Sequence, residues 1–288
     1  MIGPDQLARV SAEAVVPEQV VVYVRAVAGS RARMVGSCVG YESNGRFVLI
    51  GYPLHDPLDT DAMVHSVTQS LSISGLRQIT VVGPVRPPQT PADIRSHEDA
   101  YQALRLPAPP PGQKLRNLLR RSGRELNIDK GRCLSSDHIA LVQRYLDDRL
   151  LAAGTRHIFT KISDYIEASP TSLVVSARRS DGQLAAFGVG EYVSLHTAFF
   201  VFCFRNPPVA PPGSADLVLA ELLVEAEARG QARMNLGLGV NEGIRFFKRK
   251  WGGDFFLPSV AVSWDIRPAK RRSRWRGFFA SGREKREG

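Results

Sequence analysis

Two α/β modules in tandem, each a mixed and mostly antiparallel sheet flanked by helices, are the fold class this sequence predicts. Three observations lead there. Short β-branched or apolar runs alternate with stretches whose apolar residues recur at helical spacing. One order of elements occurs twice: hairpin, strand, proline-containing loop, helix, glycine, strand, in Tyr52 to Val82 and again in Asn206 to Leu236. Two proline-rich breaks, RPPQT from Arg86 and LPAPPPG from Leu106, lie between the copies and act as stiff connectors. They divide the chain into residues 1–105, residues 106–266 and a basic, flexible tail at 267–288.

In the first half, Val20 to Val27 (VVVYVRAV) is short and β-branched and reads as a strand. Met34 to Tyr41 and Arg46 to Tyr52 flank Ser43-Asn44-Gly45, a hairpin turn signal. Pro53 to Pro57 is a loop. Asp61 to Ser74 is a helix with Met63, Val64, Val67 and Leu71 on one face and Gly75 as its cap. Gln78 to Val82 is a buried strand. In the second half, Ser135 or Ser136 caps a helix that runs to about Ala153 and closes at Gly154. Its apolar residues are Ile139, Leu141, Val142, Leu146, Leu150 and Leu151. Strands at Leu173 to Arg178 and Leu184 to Tyr192 meet at Ser-Asp-Gly, and a third runs from Thr197 to Phe204. A rigid loop, Pro207 to Gly213, leads into a helix at Ala215 to Ala228, and Arg233 to Gly237 is the last strand.

Composition narrows the function. The 288 residues are 43% hydrophobic and 23% charged, as in ordinary globular proteins, which excludes wholesale disorder, a collagen-like chain and a disulfide scaffold. No apolar run has the roughly 18 residues of a membrane span, and Met1 to Val10 does not read as a signal peptide, so the expected location is cytoplasmic. Cys38, Cys133 and Cys203 lie far apart and read as buried free thiols, with no metal-ligand spacing. The net charge is +10, concentrated in the tail, with nine Lys/Arg against two Glu, and in Gln113 to Arg132, with seven against two acids. Such clusters suit phosphate groups, nucleic acid or an anionic lipid surface, and equally a solvated face. In the tail, basic residues interleave with Trp275, Phe278 and Phe279, as at the inner face of a membrane. No motif points to DNA.

The order of hairpin, apolar strand, loop, helix and strand resembles the GNAT acyltransferase fold. The segment Pro211 to Gly252 is similar to the Fem-type branch of that superfamily, which contains tandem modules and includes peptidoglycan-bridge transferases and lysyl-lipid synthases. Phe247, Lys248, Lys250, Trp251 and Gly252 match the branch's Phe-Lys-x-Lys-Phe/Trp-Gly signature, and KLRNLLRRSGR from Lys114 is similar to its basic lead-in. The resemblance covers residues 114–265 and is only topological over 1–105. The GNAT motif Gln/Arg-x-x-Gly-x-Gly/Ala is absent.

The resemblance implies transfer of an acyl group from a thioester, acyl-CoA or acyl carrier protein, to an amine that is polar or lipid-linked. It implies no tightly bound cofactor and no metal. Aminoacyl-tRNA is the alternative donor, and a scaffold that kept the fold without the chemistry is the contrasting reading. On the family pattern, Phe200 to Phe204 is the splayed strand, and the backbone of Phe202 or Cys203 faces the acyl carbonyl. Gly213, Ser214 and Ala215 open the helix that would meet the donor's phosphates. Glu191 is the candidate base for the amine, with Tyr192 and His196 as acid or relay, or else Glu191 is a paired structural acid. Asn241, Lys248 and Arg249 follow a strand end, where ligands gather in α/β sheets. Arg116, Arg120, Arg121 and Arg124 recur at three- and four-residue spacing and would hold a nucleotide, a tRNA acceptor stem or lipid headgroups.

Overall fold

The computed structural model describes residues 2–266. The tail, with its expected flexibility and membrane contact, lies outside the described residues. The first half comprises α1 (Pro4–Glu13), a 3-10 turn (Pro17–Gln19), α2 (Val21–Ala28), β1 (Arg31–Val35), β2 (Cys38–Ser43), β3 (Arg46–Ile50), α3 (Thr60–Leu71), β4 (Gln78–Gly83) and β5 (His97–Arg105). The second comprises α4 (Gln113–Glu125), β6 (Leu126–Gly131), α5 (Ser136–Asp147), α6 (Ala153–Thr160), α7 (Ile162–Ala168), β7 (Ser172–Arg179), β8 (Leu184–Glu191), β9 (Thr197–Arg205), α8 (Ser214–Ala228), β10 (Arg233–Leu238), α9 (Glu242–Lys250) and β11 (Asp254–Asp265).

One mixed sheet takes in all of these strands, in the order β1-β2-β3-β4-β11-β5-β10-β9-β8-β7-β6. The two separate sheets expected from the sequence are therefore continuous. On one side, β2 and β3 are antiparallel, β3 and β4 parallel, and β4 and β11 antiparallel. On the other, β8 and β9 are antiparallel, β9 and β10 parallel, and β10 and β5 antiparallel. Strand β5 comes from the first half of the chain and β11 from the second, yet each pairs with the opposite half. Each also pairs with the other at the centre of the sheet.

Local chemistry explains most elements. The β2–β3 hairpin turns at Asn44 and Gly45, both with positive φ, as a two-residue turn between twisted strands requires. Asp59 caps α3 by accepting from the Ala62 N–H at 2.9 Å, worth about 1 kcal/mol. That helix ends at Ser72, three residues before the glycine expected to cap it. The run Val20 to Val27 is not a strand. Its residues from Val21 form α2, which packs against α7 and over β1, and that burial outweighs the β preference of its valines. The helix begun at Ser135 stops at Asp147, and Gly154 lies inside α6 instead of closing α5.

Helices cover both faces. On one face of the second half, α8 packs on β7 to β10, and α4 packs on α8 and β6. On the other, α5, α6 and α7 enclose Phe187, Phe202 and Phe204; Phe159 meets the rings of Phe202 and Phe204 edge-on, and Tyr145 that of Phe204. The link from α1 to α2 bridges the halves, with Ala14 and Val20 against Phe199 of β9.

Candidate active site

The two parallel pairs of the sheet differ. Strands β3 and β4 stay paired over five residues, Arg46 with Gln78 through Ile50 with Val82. Strands β9 and β10 pair over only three, Arg233 with Thr197 through Asn235 with Phe199, and then diverge. The fork expected from the family pattern is thus present in the second half. Two irregularities flank it. In β9, Val189 faces Phe202 while Gly190 faces Phe200, so Val201 is an extra residue that bulges the strand. In β10 the register against β5 slips between Asn235 and Leu238. There Gly237 has φ of +81°, a conformation that suits glycine, and Asn235 Oδ1 accepts its N–H at 2.7 Å. Asn235 Nδ2 donates to the Val15 carbonyl, tying the fork to the α1–α2 link.

The β10 bulge sets a place for Lys248. Its ammonium donates to the carbonyls of Gly237 at 2.7 Å and Leu238 at 2.5 Å. The residue is only 3% exposed, and burial lowers its pKa to about 8, against an upward pull from Asp99. Two of its three donors are engaged. Lys248 is thus buried beside a diverging strand, unlike its exposed neighbour Arg249. The signature around it is mechanical. Phe247 stacks on Phe200 with centroids 6.3 Å apart, Trp251 Nε1 donates to Asp216 at 2.9 Å, and Lys250 pairs with the same carboxylate at 2.5 Å. Asn241 caps α9 by accepting from the Ile244 N–H, and exposed Arg249 faces Glu242 at 3.7 Å.

The other candidates do not converge here. Glu191 is fully buried and accepts from Tyr165 Oη at 2.7 Å, Ser169 Oγ at 2.6 Å, Thr171 Oγ1 and the Tyr192 N–H. Four donors satisfy this carboxylate, and it clamps α7 and the start of β7 to the end of β8. Tyr192 is buried and donates to the Leu222 carbonyl, and burial raises its pKa. His196 is exposed on the turn before β9. Phe202 lies in the aromatic core, and burial pushes the Cys203 thiol up to about 12. Cys38 is buried and Cys133 exposed, so the three thiols do not share the buried setting expected.

The start of α8 is closed. Ser214 is buried, with its hydroxyl donating to the Pro211 carbonyl. A Cβ on Gly213 would fall 2.7 Å from Leu118 Cγ of α4, so that basic helix lies directly on the turn. Asp216, in the first turn, already places a carboxylate there, 4% exposed. Outside, α4 is open to solvent. Arg120, Arg121 and Arg124 line a hollow of about 390 Å³ with Asn117 and Glu125, and Arg124 continues into a second of about 240 Å³ with Arg179 and Pro211. Arg116 is exposed on the same helix and does not line either hollow.

No family model matches the chain, and no curated protein matches it in sequence. Solved structures do share its fold. A conserved protein of unknown function from Bacteroides thetaiotaomicron superposes with a TM-score of 0.63 at 12% identity, over 90% of this chain and 95% of that one. FemX gives 0.62 at 8% identity, over 90% and 96%. The C-terminal domain of a putative lysylphosphatidylglycerol synthetase from Agrobacterium fabrum gives 0.56 at 17%, over 84% and 86%. Fold and fork define an α/β protein with a GNAT-like fold. The chain shares that fold with FemX and with the synthetase domain. Among the described residues, no helix is long and apolar enough to cross a membrane.

Proposed function

We propose that this chain transfers an aminoacyl group from an aminoacyl-tRNA to an amine, at the fork between β9 and β10. The amine nitrogen attacks the ester carbonyl, the new C–N bond forms, and the C–O bond to the ribose breaks. The proton lost by the amine ends on the ribose hydroxyl. A lysine with a pKa near 8 suits that exchange, because it can give a proton to the leaving oxygen and regain one near neutral pH. Its charge also favours the oxyanion that develops on the carbonyl. Likeness of fold to FemX and to the synthetase domain supports the transferase reading.

The observation that carries the choice of donor is the closed start of α8 beside the open arginines of α4. A pyrophosphate at that helix terminus would meet Leu118 and the Asp216 carboxylate. A tRNA acceptor stem needs only an exposed basic surface, which Arg120, Arg121 and Arg124 offer. The thioester reading, with acyl-CoA or a carrier protein, draws on the same fork and lacks a phosphate seat. At α9, exposed Phe246 lies three residues before exposed Arg249 on one side of the helix, an apolar and basic pair that suits a lipid-linked amine. We further read residues 1–105 and 106–266 as two modules that exchange β5 and β11. The test is binding of charged tRNA against free coenzyme A. Retention of charged tRNA, undisturbed by coenzyme A, is the expected result.

A further inference from the structure

A cavity of about 560 Å³ lies in the first half, between α2 and the face of β2 and β3. Its lining residues all fall between Glu18 and Arg77, and none comes from β9, β10 or α9. Strand β3 stands five strand-to-strand steps from β9, roughly 24 Å at about 4.8 Å per step. The cavity is thus separate from the fork.

Its chemistry is unusual for an apolar cleft. The walls are apolar, from Val24, Val48 and Ile50. Glu18 opens into them with a carboxylate that takes one side-chain hydrogen bond, from Tyr101 Oη at 2.8 Å. Among the described residues no Lys, Arg or His pairs with it. Burial raises its pKa, the mark of an acid that lacks a counter-charge. Ser30 lines the same space, is 7% exposed, and its Oγ has no hydrogen-bond partner. Buried polar atoms are rarely left so, because each unmade bond costs about 1–3 kcal/mol. Helix α2 separates Ser30 from Glu18, and the register of β1, β2 and β3 sets Ser30 in the row of Ser43 and Arg46; at that end Arg46 and Arg77 are exposed to solvent.

We propose that this cavity binds an amphiphilic amine, with its ammonium on Glu18, an alkyl or aryl body between α2 and β3, and an anionic group at Arg46 and Arg77 beside Ser30. The ammonium supplies the counter-charge that Glu18 lacks, and the anionic group supplies an acceptor for the Ser30 hydroxyl. The volume falls within the range of small-molecule sites, roughly 300–1,000 Å³.

Calorimetric titration of the full chain with 8-aminooctanoate, octylamine and octanoate tests this. Saturable one-site binding of 8-aminooctanoate, at least about 10-fold tighter than octanoate, is expected. Glu18→Gln should remove that preference and leave octanoate unchanged. Replacing Arg46 and Arg77 by Ala should weaken 8-aminooctanoate and leave octylamine unaffected. Should Glu18→Gln not fold, Val48→Trp, which fills the wall, must abolish binding of both amines. Equal binding of octanoate and 8-aminooctanoate, no binding of any probe, or amine binding that survives Val48→Trp overturns the proposal.

Discussion

The ammonium of Lys248 lies 2.7 Å from the carbonyl oxygen of Gly237, on the bulge where β10 leaves β9. A helix that starts at Asn241 thereby returns a buried charge to the strand it has just left. The rest of the signature, from Phe247 to Trp251, fixes that helix against β9 and α8.

Lys248 gives a pH dependence of stability. Its pKa falls from 10.5 to about 8 on folding, so below pH 8 the folded state bears the full cost of burying the charge. Between about 8 and 10.5 this group binds fewer protons in the folded state than in the unfolded one, and its contribution to stability rises with pH by up to about 3 kcal/mol. The raised Cys38 and Cys203 thiols lower stability from about pH 9 in wild type and variant alike, so denaturant titrations should show the stability of the wild type relative to Lys248→Met rising across that range.

Lys248→Met should also reduce transfer at least about 100-fold, the scale of a lost proton donor. Arg should not rescue it, because guanidinium does not release a proton near neutral pH. Single-turnover rates of the two variants check this, and wild-type rates in either contradict it.

Glu191→Gln tests the base expected from the sequence against the clamp seen in the fold. Replacing a carboxylate that four donors share should cost about 2–4 kcal/mol, read as a lower denaturation midpoint. The rate per folded molecule should stay near that of the wild type. Unchanged stability with a collapsed rate would restore Glu191 as the base.

Arg120→Ala with Arg121→Ala should weaken tRNA binding most at low salt. Each lost phosphate contact should flatten the slope of log affinity against log salt by about 0.7–0.9. Filter binding at several salt concentrations measures that slope. A loss independent of salt argues against a phosphate role.

The thiols offer a simple check of packing. Cys133 is exposed, whereas burial holds the Cys38 thiol up at about 11 and Cys203 at about 12. Native protein should react rapidly with a thiol reagent at Cys133 alone, and denatured protein at all three.

Much of this was legible in the chain. Asn44-Gly45, the apolar run of β9 and the helix after Gly213 are local signals, and each stands where its residues place it. The centre of the sheet was not legible. Strand β5 (HEDAYQALR) is polar and hidden between proline breaks, and β11 carries Pro258, so only their long-range partners make them strands. The site followed the same division. Lys248 was visible through its signature, but its burial depends on the bulge at Gly237. Glu191 looked reactive as an acid in an apolar strand, and the hydroxyls that satisfy it come from α7 and the loop after it. Glu18 and Asn235 were missed, although each is a polar residue beside an apolar run.

The most direct test of the central claim is filter retention of labelled aminoacyl-tRNA, with deacylated tRNA and free coenzyme A as competitors. Saturable retention that deacylated tRNA competes weakly, and that coenzyme A leaves untouched, is the predicted result. Displacement by coenzyme A, or no retention at low salt, contradicts the account.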